Sequence, residues 1–231
     1  MLVPGDRVVM LSGANRGIGA AIARRLADEG YRLSLGMRDR AKSKLAESDR
    51  VMVARYDADE ADAAAHWVAV TVERFGRIDA VINNAGISRP YSLEAGDEAD
   101  LDAMWQVNVK APLRVVRAAL PYLKQSGAGR VVQVASLSGK RLYKDNHGYA
   151  MTKFATVALA HAVRRMGWEH GIRATALCPG MVNTDMIRAN VDRAALTQPD
   201  DLAEVVSLLL RLPNTASVAE LLVNGRFEDM V

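Results

Sequence analysis

RVVMLSGANRGIGAAIARRLADEG occupies residues 7–30. A short apolar run passes directly into SGANRGIG, residues 12–19, and then into a pattern in which Ile18, Ile22 and Leu26 recur every four residues. A buried strand, a glycine-rich turn and an amphipathic helix in that order open a parallel α/β unit. Gly13, Gly17 and Gly19 let the backbone turn tightly and approach a ligand closely. The helix that follows presents free amides and the positive end of its dipole, a setting for phosphate. The spacing is Gly-x-x-x-Gly-x-Gly, not the commoner Gly-x-Gly-x-x-Gly dinucleotide fingerprint.

The alternation continues along the chain. Val-, Ile- and Leu-rich runs at 7–11, 32–35, 51–55, 80–82, 130–134, 173–177 and 219–223 read as strands buried on both faces. Helical spacing joins Ala61, Ala65, Val68, Val72 and Phe75, and again Leu113, Val116, Leu120 and Leu123, with Pro121 as a point of bending. Residues 149–166 contain no Gly or Pro and form a long helix, and another runs from about 200 to 211, before Pro213. The expected architecture is α/β: a doubly wound, mostly parallel seven-stranded sheet with helices on both faces. No repeat, linker or low-complexity segment divides the 231 residues, so a single domain over 1–231 is expected.

Composition excludes several classes. The net charge is +3, Lys and Arg are spread along the chain, and aromatics make up 5% of it. A nucleic-acid binder would want a basic stripe and stacking rings. Cys178 is the one cysteine, which excludes an intramolecular disulfide and leaves no zinc pattern with the four histidines; a buried structural thiol is expected. No stretch approaches a membrane span, and MLVPGDRVVML lacks the apolar core of a signal peptide. A cytoplasmic protein is expected.

At the end of the second strand an acid would bind an adenosine ribose. Here LGMRD puts Met37 at that place and Arg38 after it. A guanidinium suits a 2′-phosphate. Arg16, inside the glycine loop, adds a second positive charge, while the adjacent Asp39 opposes the assignment. NADP is favoured over NAD.

YAMTK, residues 149–153, sets a phenol and an ammonium at i and i+4, on one helix face. A nearby ammonium favours the phenolate and makes the phenol a better acid. Together with the glycine loop, this segment resembles the short-chain dehydrogenase/reductase family in its classical form. The motifs follow the family's order from the first strand to about Met186: SGANRGIG at 12–19, Asp57 after the third strand, NNAG at 83–86, Asn108 in a helix, Ser136 after the fifth strand, YAMTK, and PGMVNTDM at 179–186.

The resemblance implies a Rossmann fold and an NADP(H)-dependent oxidoreductase that interconverts a ketone or aldehyde and an alcohol. It implies that Tyr149 is the general acid in reduction and the base in oxidation. Lys153, together with the positive nicotinamide of the oxidised cofactor, would lower the phenol's pKa; it would also reach the nicotinamide ribose, and Ser136 would hold the substrate oxygen, with Ser138 as an alternative. Asn108 would hold a water that links Lys153 to solvent. Cofactor contacts are implied for Gly13, Asn15, Arg16, Gly17, Ile18, Gly19, Arg38, Asp57, Ala58, Asn84, Ala85, Gly86, Tyr149, Lys153, Pro179, Gly180, Val182 and Thr184. No metal is implied.

The substrate is a small molecule that the sequence does not name. Lys140, Arg141, Lys144 and His147 border the pocket and could favour an anionic or polar one, and 187–198 would form a lid. The tail RFEDMV lacks the aspartate and paired glycines of many relatives, and helices 111–125 and 149–167 are the expected association surface of a homodimer or homotetramer. The other reading of the same fold is a non-enzymatic NADP-sensing regulator, which would have little use for Asn108, Ser136, Tyr149 and Lys153 together.

Overall fold

The structure is a computed structural model and describes residues 1–142, 145–187 and 191–225. The tail at 226–231, Lys144 and part of the 187–198 segment lie outside the described residues.

Seven strands form one sheet: β1 (Val8–Ser12), β2 (Arg32–Met37), β3 (Val51–Arg55), β4 (Ala80–Asn83), β5 (Arg130–Val134), β6 (Arg173–Pro179) and β7 (Glu220–Val223). Their order is β3-β2-β1-β4-β5-β6-β7, and every pairing is parallel. Each expected strand is present, shifted by at most two residues at an end.

Helices cover both faces, which is why the strands are apolar on both sides. On one face α1 (Gly17–Asp28) and α6 (Pro199–Arg211) pack over Val9, Leu11, Leu33 and Ile82. On the other, α2 (Ala63–Phe75) and α4 (Ala111–Gln125) cover Met10, Val81 and Val131, and α5 (His147–Gly167) lies over Ala176 and Cys178. The Trp67 ring presses on β2 so closely that a Cβ at Gly36 would lie 2.7 Å from it.

One helix escaped the periodicity. α3 (Glu98–Trp105) buries only Met104, so its apolar stripe is too thin to read, and Asp97 caps it by accepting from the Ala99 amide. α3 runs into a π-helical segment, Gln106–Lys110, and then into α4. Pro121 sits inside α4 without ending it.

The chain winds outward from β1 to β3, then returns across the sheet to β4. β1 therefore has β2 on one side and β4 on the other, and the loops leaving β1 and β4 part at the carboxyl edge. Such a switch point is where ligands bind in open α/β sheets.

Candidate active site

The glycine loop owes its shape to contacts within the protein as well as to the ligand it could take. Gly13 and Gly17 have φ of 68° and 52°, which a side chain would strain. A Cβ on Gly19 would lie 2.1 Å from the Gly13 carbonyl oxygen. Asn84 Nδ2 donates to the carbonyls of Ser12 and Gly13, both at 3.1 Å, while Ser12 Oγ accepts from the Asn84 and Ala85 amides at 3.0 and 3.1 Å. Asn84 and Ala85 thus bind the β4 loop to the β1 loop. Among the described residues no side chain caps α1, so its first-turn amides stay open to an anion. Ile18 packs on the core beneath, and Asn15 lies on the partly exposed outer turn.

At the end of β2 the Met37 side chain is buried against the α1–α6 face. Arg38 is exposed and makes no ion pair or hydrogen bond among the described residues. Asp39, the residue that opposed NADP, is occupied: it accepts from the Ala41 amide at 3.1 Å and pairs with Lys42 at 3.6 Å. Arg16 pairs with Asp185 across the loops at 3.6 Å, both side chains largely exposed. Asp57 Oδ1 closes a turn on the Asp59 amide, and Ala58 is buried beside it.

The chemistry-bearing residues meet at the carboxyl ends of β4, β5 and β6. Ser136 follows β5 and accepts from the Ser138 amide at 3.1 Å, starting a 3-10 turn, Leu137–Gly139. Tyr149 stands in the first turn of α5 with the Ser136 hydroxyl beside its phenol. That neighbour favours Ser136 over Ser138. Lys153 is buried at 6% exposure, donates to the Val134 carbonyl at 2.9 Å, and sits 5.5 Å from the centre of the Tyr149 ring. A Cβ on Gly86 would come within 3.3 Å of Asn108 Oδ1 and 3.6 Å of Lys153 Nζ, so the ends of β4, the π segment and α5 converge on one spot.

Burial holds the Tyr149 phenol up at about 12 in the chain alone, opposed only in part by the neighbouring Ser136 hydroxyl, although the residue keeps a partly open face. Burial likewise pushes the Lys153 ammonium, which donates to the Val134 carbonyl, down to about 8.

The Asn108 side chain is held by three hydrogen bonds: Oδ1 accepts from the Ile87 amide at 2.9 Å, and Nδ2 donates to the Ile87 carbonyl and to Thr152 Oγ1. Its main-chain carbonyl accepts from Thr156 Oγ1 at 3.2 Å, and Pro112, four residues on, has no N–H to offer it. Thr152, Thr156 and Pro112 were not among the residues expected here; the proline just past Asn108 was the available signal.

The basic border of the pocket is mostly engaged elsewhere. Lys140 pairs with Glu220 on β7 at 2.6 Å, Arg141 is buried and partnered, and His147 Nδ1 accepts from the Leu93 amide at 3.0 Å. These contacts remove most of the expected bias toward an anionic substrate. After β6, Gly180 donates to the Val223 carbonyl, Val182 bridges to Thr197, and the Thr184 methyl lies over Gly17. Pro179 ends β6 just before this turn. Arg193 ties Asn183, Thr184 and Ile187 together beside it. Among the described residues no cluster of His, Cys, Asp and Glu could hold a metal ion.

The short chain dehydrogenase family model matches residues 7–195, a span that contains every motif named above. The chain belongs to the short-chain dehydrogenase/reductase family. It is 42% identical over 217 residues to an agropine synthesis reductase of Rhizobium rhizogenes, covering 91% of this chain and 50% of that protein. The chain therefore spans about half the length of the agropine synthesis reductases it matches. An uncharacterized oxidoreductase of Staphylococcus saprophyticus is 31% identical, with 94% of this chain and 97% of that one aligned. Among solved structures, the alcohol dehydrogenase of the archaeon Thermococcus sibiricus, complexed with 5-hydroxy-NADP, superposes with a TM-score of 0.86 at 30% identity, over 96% of this chain and 98% of its own.

Proposed function

We propose that this chain reduces a ketone or aldehyde, and oxidises the corresponding alcohol, with NADP(H), using Tyr149 as proton donor and acceptor. The observation that carries the reading is the convergence of Ser136, Tyr149 and buried Lys153 at the carboxyl ends of β4–β6, with the Lys153 ammonium 5.5 Å from the centre of the Tyr149 ring. A substrate carbonyl oxygen placed between those two hydroxyls would accept from both as negative charge develops on it. The nicotinamide supplies the hydride. The glycine loop and the uncapped amides of α1 suit its diphosphate, with Gly13, Gly17 and Gly19 keeping side chains out of the way. Asp57, Ala58, Ala85, Gly86, Pro179, Gly180, Val182 and Thr184 border the same crevice and are proposed as its further contacts.

In reduction the proton would be resupplied from a water at Asn108 through Lys153 to Tyr149, and in oxidation it would leave by the same route in reverse. Because burial holds the phenol at about 12 in the chain alone, positive charge brought in with the oxidised cofactor is what would bring Tyr149 toward neutral pH in the oxidative direction.

The test is to follow NADPH absorbance against a panel of aldehydes, ketones and quinones. Turnover with at least one carbonyl is expected; NADPH binding with no turnover across the panel would favour a cofactor sensor instead.

The preference for NADP rests on Arg38, which is exposed and free of partners among the described residues, and on Asp39 being occupied by Ala41 and Lys42. The NADP derivative held by the Thermococcus enzyme supports it. Replacing a charge-assisted pair with phosphate, Arg38→Ala should raise KM for NADPH by about ten- to a hundredfold and leave NADH nearly unchanged. Equal losses with both cofactors would end the NADP assignment. Exposed Leu113 on α4 and Met151, Phe154 and Met166 on α5 support self-association, as a homodimer or homotetramer, through those helices. A cytoplasmic setting fits the single free, buried thiol of Cys178.

A further inference from the structure

Three elements that contribute nothing to the glycine loop meet on one carboxylate. Glu220, on β7, pairs with Lys140 Nζ at 2.6 Å through Oε2 and with His161 Nε2 at 2.6 Å through Oε1. Its own side chain is 23% exposed, less than either partner, and β6 and β7 run side by side with Ala176 opposite Glu220. The carboxylate therefore faces α5 from beneath the same strip of sheet as Cys178.

The two partners lie on the two arms that carry the reactive hydroxyls. Lys140 immediately follows the 3-10 turn that begins at Ser136, and its amide donates to the Leu137 carbonyl at 2.9 Å. His161 lies two turns beyond Lys153 on α5, the helix that carries Tyr149. The arms also touch directly: a Cβ on Gly139 would lie 2.6 Å from the Lys153 carbonyl oxygen. A turn this short has few hydrogen bonds of its own, and beside it Lys153 Nζ on α5 donates to the Val134 carbonyl at the β5 end. A carboxylate tie from β7 to both arms adds a second constraint on their separation, and that separation sets how near the Ser136 and Tyr149 hydroxyls come.

We propose that Glu220 is a positioning residue that holds the Ser136 turn against α5, through Lys140 and His161, at the spacing that lets the Ser136 and Tyr149 hydroxyls share one substrate oxygen. The proposal rests on the catalytic reading of Ser136 and Tyr149 given above. It adds to that site a residue from the far edge strand, which touches neither cofactor nor substrate. The Lys140 and His161 contacts also hold the Glu220 carboxyl below its ordinary range, so it is ionised wherever the enzyme would work.

The experiment has two readouts. In the first, Glu220→Gln should lower kcat for the carbonyl by about tenfold while KM for NADPH moves by less than about twofold, and Glu220→Asp should recover part of the loss. Lys140→Met should lower kcat in the same way, and the double variant should be no worse than the poorer single one, because both remove one tie. Unchanged kcat in a folded Glu220→Gln, or losses that multiply in the double variant, would overturn the proposal. Should Glu220→Gln fail to fold, Lys140→Met carries the same comparison. The second readout does not depend on turnover. With Cζ-labelled tyrosine, the resonance that disappears in Tyr149→Phe should shift in both Glu220→Gln and Lys140→Met. An unmoved resonance overturns the positioning role. If the wild-type protein shows no turnover that Tyr149→Phe abolishes, the catalytic reading fails, and a shifted Tyr149 resonance would still show the tie at work.

Discussion

Tyr149→Phe should reduce carbonyl turnover by about a thousandfold or more, at the upper end of what a single general acid contributes. The change removes one oxygen and nothing else. The ring, the helix and the 5.5 Å approach of Lys153 to that ring all remain, so NADPH should bind with an affinity within about twofold of the wild type. Fluorescence titration of NADPH checks the second half, and single-turnover kinetics checks the first. Ser136 would hold the substrate oxygen alone, which is why some residual rate is expected. Undiminished turnover would remove Tyr149 from the chemistry.

The same residue gives a pH signature whose direction follows from its environment. In reduction Tyr149 must carry a proton, and burial keeps it protonated well above neutrality in the chain alone, up to about 12. Reduction should therefore be flat or fall as pH rises. Oxidation requires the phenolate, so its rate should climb with pH through whatever value the bound cofactor leaves the phenol. Opposite slopes in the two directions, both abolished by Tyr149→Phe, are the expected result.

Gly19→Ala is the second large effect. The added methyl would sit 2.1 Å from the Gly13 carbonyl oxygen and 2.6 Å from Asn84 Nδ2. The first neighbour is main chain and the second is the amide that joins the β1 and β4 loops, so relief requires both loops to part. NADPH affinity should fall by about a hundredfold or more, and overpacking of this kind costs about 1–3 kcal/mol of stability. Isothermal titration with NADPH and a thermal melt measure the two losses. An unaltered affinity would mean that the loop is not part of the cofactor site.

These two sites differ in how openly the sequence declared them. The strand–glycine–helix order at 7–30 is local chemistry: glycine where the backbone turns, apolar residues at the helical period, strands apolar on both faces. Such signals depend on neighbours along the chain, and all seven strands were legible from them. α3 was not, because it buries little and its residues have no strong period. The four residues Asn108, Ser136, Tyr149 and Lys153 were legible only through their order and spacing, since no one of them is distinctive alone. The structure brings all four to the carboxyl edge of β4–β6, as that spacing implied.

By itself the sequence determined the α/β alternation, the glycine loop, the lack of an acid at Met37 and the identity of the hydroxyl and ammonium groups near the crevice. Tertiary structure decided how those groups are held. It turned the Lys153 ammonium to the Val134 carbonyl, closed the Asn108 side chain onto Ile87 and Thr152, spent Lys140 on Glu220, and buried the phenol so that its pKa stands high in the chain alone. The physical reason is the same in each case. A charge or hydrogen-bonding group taken out of water must find a partner, and across a parallel sheet that partner belongs to a distant part of the chain.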